Sequence, residues 1–216
     1  MNKNHELITR SYELARPFEC RDVENGLKII EGLPIVYGQK TDLVECYEVI
    51  LPGALDHADL TDVRFLVNHD VSRIPLARSR RNNERSTMLL KPVEEGLWMR
   101  ASIDVGNNAD ARSLYSAVSR GDLSGMSFMF SVTGEEWVGL DTEKPTRNIT
   151  AIGSVVELSA VTFPAYPTTE IFARDQRALE NVRRMVETAR TKRAKPVETG
   201  LLTELKKIYL RGSERI

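Results

Sequence analysis

From Gly26 to Pro164 the chain consists mainly of short runs rich in β-branched, aromatic and other apolar residues, many stopped by Gly or Pro. Only one stretch in that span carries a helical period. This texture constrains the fold more than any other feature. Leu27 to Tyr37 reads as a strand broken by Gly32 and Pro34. Glu45 to Leu51 reads as a second, closed by Pro52-Gly53, and Arg64 to Val67 as a short third. Met88 to Val93 and Leu97 to Val105 flank Glu94-Glu95-Gly96, a hairpin pattern. Met126 to Val132 and Ser154 to Phe163 are two further strands, the last closed by Pro164. Between them, Asn107 to Gly121 has a helical period. Asn107 or Asn108 caps its start, Gly121 ends it, and Leu114, Ala117 and Val118 face the core. The order predicts an α+β, mainly β domain: a mixed, mainly antiparallel sheet or small barrel with a helix packed on it.

The two ends differ from this body. Residues 1–25 are polar and read as an irregular N-terminal arm. Beyond Pro167, the apolar residues Ala178, Leu179, Val182, Met185, Val186 and Ala189 follow i, i+3, i+4 spacing, so Asp175 to about Ala194 reads as an amphipathic helix. Lys195-Pro196 breaks it, and Leu201 to Tyr209 repeats the pattern in a second short helix. Charge changes at the same boundary. From Arg174 onward there are 12 Lys and Arg against 6 Asp and Glu, while the remainder holds 18 against 25. Three units are expected: the arm at 1–25, a body at 26–174, and a basic helical tail at 175–216.

A globular chain of 216 residues buries roughly 70% of its unfolded surface, enough for a core without disulfides or metal. Hydrophobic residues at 41% and charged residues at 28% exclude a collagen-like or wholly disordered chain. No run approaches the ~20 apolar residues of a membrane-spanning helix. The net charge of −1 creates no general attraction to nucleic acid or anionic lipid. Cys20 and Cys46 form no CxxC pair, and the N-terminus shows no apolar signal region, so free thiols in a reducing compartment are expected.

The histidines number three. His5 sits in the polar arm, His57 in a turn, and His69 at the end of the apolar run Phe65 to Val67, where a base can be both rigid and reachable. A histidine at such a strand end is more often a hydrogen-bonded structural residue, and His69 is open to that reading too. His57, Asp59, His69 and Asp70 would be the donors for a metal, but no HExxH, HxH or CxxC pattern accompanies them. In Met126-Ser127-Phe128-Met129-Phe130, strand alternation places Ser127 with Met129 and Ser131, opposite Phe128 and Phe130. A serine needs a base within reach to act as a nucleophile. Otherwise it is a small polar residue on a half-exposed strand. Glu157 stands alone in the apolar run Val155 to Val161. It either points to water or is buried against a partner such as a histidine N–H. Arg73, Arg78, Arg80 and Arg81 form a basic loop that either meets an acidic substrate segment or is simply solvated.

Taken in order, Asn68-His69-Asp70, Met126 to Phe130 and Val156 to Tyr166 resemble the signature of the prohead (capsid maturation) proteases of tailed bacteriophages. Gly32 to Tyr37, Ile50 to Leu55, Arg73, Arg78 and Arg120-Gly121-Asp122 extend the resemblance, which runs from about Gly26 to Ile171. It implies a fold similar to the herpesvirus assembly proteases, an antiparallel β-barrel surrounded by helices. It also implies a serine endopeptidase with Ser127 as nucleophile, His69 as general base and Glu157 as third member, where herpesvirus relatives carry a second histidine. Ser124, in the turn after the helix, is the other candidate serine, and Ser127 is preferred because it directly precedes the aromatic-x-Phe run. No metal or other cofactor is expected. The implied substrate is the scaffolding region of a major capsid protein precursor, cut inside the procapsid in the host cytoplasm, followed by self-digestion. A second copy of the chain is a further candidate partner; a membrane and a specific nucleic acid are not.

The tail allows two readings: its apolar face docks on the scaffold, or it packs on the body. Two other functions compete with the peptidase. A non-catalytic assembly protein would have no base beside its strand-borne serine, and a metal hydrolase would gather His57 and His69.

Overall fold

A computed structural model describes residues 7–14, 16–23, 27–162 and 176–194. Eleven strands and two helices lie within them: β1 (Leu7–Glu13), β2 (Glu19–Asp22), β3 (Leu27–Val36), β4 (Lys40–Asp42), β5 (Tyr47–Ile50), β6 (Arg64–Val67), β7 (Ala77–Arg78), β8 (Met88–Val93), β9 (Gly96–Asp104), α1 (Ala109–Ser119), β10 (Gly125–Val138), β11 (Thr146–Val161) and α2 (Gln176–Ala194). His5, the Phe163-Pro164 strand end and the expected helix at Leu201 to Tyr209 fall outside the described residues.

The strands form two sheets. One has the order β1-β10-β11-β5-β4, with β6 paired to β11 and β7 to β6; the other runs β2-β3-β9-β8. The expected closed antiparallel barrel is not what these residues form. The first sheet is mixed, because β11 pairs in parallel with β5 through Thr146 to Ile149 and with β6 through Glu157 to Ala160. The sheets join through side chains instead. Ile30, Ile35, Met99 and Ile103 of the second sheet share one core with Tyr12, Phe65, Phe128, Phe130 and Leu158 of the first and with Ala111, Leu114 and Val118 of α1. The Tyr12 hydroxyl donates to the Pro34 carbonyl at 2.7 Å and accepts from the Val36 N–H at 2.9 Å. It thereby stitches β1 to β3 where the β3–β9 register shifts between Gly32 and Ile35.

The N-terminal segment departs from the sequence reading. Residues 7–13 are not an irregular arm but an antiparallel strand against β10, with Ser11 opposite Ser127. Their polarity reflects an edge strand, exposed on one face, rather than loop. Strand β11 begins at Thr146 rather than Ser154, and Arg147 within the added segment is buried and paired. Helix α1 follows its pattern. The Asn108 side chain accepts from the Asp110 and Ala111 N–H groups at 2.9 and 3.2 Å. At the other end Gly121, with φ +76°, closes the helix through Gly121 N–H to Val118 and Asp122 N–H to Ala117. In the β8–β9 hairpin a Cβ at Gly96 would collide with the Ile35 carbonyl oxygen.

Helix α2 uses its apolar face on the body. Val182 and Val186 are buried with Leu43 and Cys46, and Trp137 and Met185 pack beside them. Arg183 reaches Glu45 at 2.7 Å, and Arg190 donates to the Leu140 and Thr142 carbonyls. Among the described residues of that face, Val182, Val186 and Ala189 are buried against the body. Burial, and then the nearby Glu48 charge, push the Cys46 thiol up to about 12. Iodoacetamide at pH 8 is expected to alkylate half-exposed Cys20 readily and to spare Cys46. Val182→Asp with Val186→Asp should expose Cys46 without unfolding the sheets, which peptide mapping of the alkylated protein would show.

A charged cluster is buried between β1, β5 and β11. Arg10 grips Glu48 through both oxygens at 2.6 and 2.9 Å, and Arg147 binds Glu48 at 2.9 Å and Glu135 on its far side. Burial alone raises the Glu48 carboxyl, but the two guanidinium groups outweigh it and hold the group below the usual carboxylate range. A depressed folded value means that this contribution is complete above the ordinary carboxylate range and fades as pH falls through the lower, folded one. Glu48→Gln leaves two buried cations facing a neutral group and is expected to cost about 3–5 kcal/mol at pH 7. In denaturant titrations the gap between wild type and variant should narrow as the solution is acidified through that range.

Candidate active site

Three strands converge on one face of the first sheet. On β10, Ser127 lies opposite Ser159 of β11, and Met129 lies opposite Glu157, so these side chains share a face. On the other edge of β11, β6 runs parallel with Leu66 beside Ser159 and Val67 beside Ala160. Strand β6 ends there, and Asn68 and His69 both take left-handed conformations, with φ +50° and +57°. Asn tolerates that region well and His is enriched there among non-glycine residues. The turn is held at both ends. Asn68 N–H donates to the Ala160 carbonyl at 2.9 Å, and its side chain bonds Thr162. The His69 N–H donates to Ser159 Oγ at 3.0 Å. The two-residue reversal folds the imidazole back over the face that carries Ser127 and Glu157.

The result is a continuous hydrogen-bonded row. His69 Nδ1 lies 2.7 Å from Glu157 Oε2, and His69 Nε2 lies 2.6 Å from Ser127 Oγ. With Nδ1–H donating to the carboxylate, Nε2 is left as an acceptor for the Ser127 proton. Glu157 is 4% exposed and Ser127 is fully buried, whereas the His69 side chain keeps 30% of its surface accessible. Of the two readings open for Glu157, the buried and paired one holds. Its other oxygen accepts from the Ser159 hydroxyl. Ser159 thus serves Glu157 as donor and the His69 backbone as acceptor, fixing both ends of the Glu–His pair.

Ser159 was legible in principle, since it stands two residues after Glu157 on the same strand face. Ser11 and the Arg10 carbonyl were not, because their segment reads as loop. The Ser11 hydroxyl donates to Ser127 Oγ at 2.6 Å, and the Arg10 carbonyl lies 2.9 Å from the same atom.

The other candidates lie apart. Ser124 is exposed in the turn before β10. His57 is exposed, and the Asp59 carboxylate is taken by Thr61. Among the described residues no group of three or more His, Cys, Asp or Glu side chains gathers as metal ligands would. Arg73 pairs with Asp70 and Asp110, and Arg78 with Asp62. A cavity of about 350 Å³ opens beside Asn68 and Asp70, with Leu66, Leu114 and Leu123 in its walls.

The chain is similar to known proteins. Over 121 residues the chain is 30% identical to the prohead protease of Enterobacteria phage HK97, a match spanning 55% of this chain and 48% of that relative, or about half its length. A solved structure, the bacteriophage T4 capsid assembly protease, aligns over 75% of this chain and all of its own, with a TM-score of 0.44 and 13% identity. The sequence pattern of the caudovirus prohead serine proteases matches residues 16–185, which hold every strand except β1, all of α1 and the first half of α2. The chain belongs to the caudovirus prohead serine protease family.

Proposed function

We propose that this chain is a serine endopeptidase of capsid maturation that cuts the scaffolding region of a phage major capsid precursor, and itself, inside the procapsid. The observation that carries the reading is the unbroken row Glu157–His69–Ser127, with contacts of 2.7 and 2.6 Å. His69 takes the Ser127 proton as the hydroxyl oxygen attacks a peptide carbonyl. Glu157 holds the imidazole in the tautomer that leaves Nε2 free and offsets the charge of the imidazolium. His69 then protonates the departing amine and activates the water that releases the acyl group. The cavity lined by Asn68 and Asp70, the chain neighbours of His69, has largely apolar walls of the kind that take a substrate side chain.

A non-catalytic assembly role draws support from one observation, the complete burial of Ser127. A base within hydrogen-bond distance of that serine weighs against it, because an inert assembly protein has no need of a Glu–His–Ser row.

The two readings separate on intact mass. Wild type, Ser124→Ala and Ser127→Ala would each be incubated with the major capsid precursor of the same phage or prophage. Wild type and Ser124→Ala are expected to clip the precursor or themselves, and Ser127→Ala to leave every chain whole. Intact chains in all three would sink the enzyme reading. Ser159→Ala removes a donor from Glu157 and an acceptor from the His69 N–H, and is expected to slow cleavage about tenfold with little change in KM. Progress curves at several precursor concentrations would show that split.

A further inference from the structure

Three polar atoms crowd the Ser127 oxygen: His69 Nε2 at 2.6 Å, Ser11 Oγ at 2.6 Å and the Arg10 carbonyl at 2.9 Å. A hydroxyl has one proton and two lone pairs. Ser11 donates, so it occupies a lone pair. The single Ser127 proton then has two acceptors to choose between. Given to the Arg10 carbonyl, it is idle; given to His69, it is on the path to a nucleophile.

Strand β1 aims Ser11 firmly. Arg10, just before it, is clamped to buried Glu48 by two bonds, and Tyr12, just after it, is buried with its hydroxyl tied to Pro34 and Val36. Ser11 itself stands in register with Ser127. Among the described residues its hydroxyl has no other hydrogen-bond partner. Ser11 also precedes the segment, residues 16–185, that matches the family pattern.

We infer that Ser11 is a positioning residue for Ser127, a second serine whose hydroxyl fixes the nucleophile's oxygen and stabilises the charge that develops on it as the proton moves to His69. The inference rests on the peptidase reading of the same site. Its logic is differential. A hydrogen bond to a neutral hydroxyl is ordinary, whereas one to an oxygen gaining negative charge is roughly twice as strong. Ser11 therefore contributes more to the transition state than to the resting enzyme. It does so twice: when Oγ attacks, and again when Oγ leaves the acyl group.

Diisopropyl fluorophosphate tests this without a peptide substrate. In that reaction the Ser127 Oγ–P bond forms, the P–F bond breaks, fluoride departs and the proton passes to His69. The full-length wild type and the Ser11→Ala, Ser11→Val and Ser11→Thr variants would be compared by second-order labelling rate at Ser127, read by mass and peptide mapping. Val and Thr have nearly the same shape, so the pair separates the hydroxyl from strand packing, and thermal melts confirm that both are folded. Ser11→Ala and Ser11→Val are expected to label about 10- to 100-fold more slowly, and Ser11→Thr to keep most of the wild-type rate. Equal rates for Val and Thr would overturn the role of Ser11 and leave the peptidase reading standing. A wild type that takes no label at Ser127 would bring down both.

Discussion

Strand β11 has two hydrogen-bonding edges, and the chemistry of the molecule depends on what each edge holds. One edge fixes β10, so that Ser127 and Met129 face Ser159 and Glu157 in register. The other takes β6 in parallel beside the same residues. A parallel neighbour must arrive by a crossover, and here the crossover brings a strand end, and so a turn, next to the carboxylate. His69 reaches Glu157 because β6 stops at Val67. A one-residue slip in either ladder would turn its side chains to the opposite face and take the row apart.

Among the described residues the interior accepts charge only where the charge is fully engaged. Glu48 lies between Arg10 and Arg147, and Glu157 between His69 and Ser159. The two carboxylates are handled alike, but their partners differ in kind. Glu48 meets permanent cations and serves as a structural anchor for β1. Glu157 meets a side chain that is able to gain and lose a proton. The same burial that would penalise a lone carboxylate thus yields a fixed strut in one place and a tunable pair in the other.

Much of this was legible in the residues. Alternation placed Ser127 opposite the two core phenylalanines, the helix caps at Asn108 and Gly121 stood where the sequence put them, and the lone Glu157 in an apolar run stood out as needing a partner. The family resemblance supplied the pairing of His69 with Ser127, since periodicity carries no information about contacts between distant segments. The open topology was not legible, because parallel and antiparallel partners impose the same alternation on a strand. The role of residues 7–13 was hidden for a related reason. An edge strand carries polar residues on its exposed face, and without a partner in view it looks like loop. The added first half of β11 was not legible either, as the burial of its Arg147 depends on a carboxylate 99 positions earlier.

Strand β1 also bears on timing. The Ser11–Ser127 contact spans 116 positions, His69–Glu157 spans 88 and His69–Ser127 spans 58. Contacts of such separation form late, since the chain between them must first surrender its loop entropy. On a growing chain two of them must wait for Ser127 and the third for Glu157. The first strand made waits beside an unfinished sheet, and the Glu157–His69–Ser127 row is complete only when nearly the whole body has been synthesised and folded.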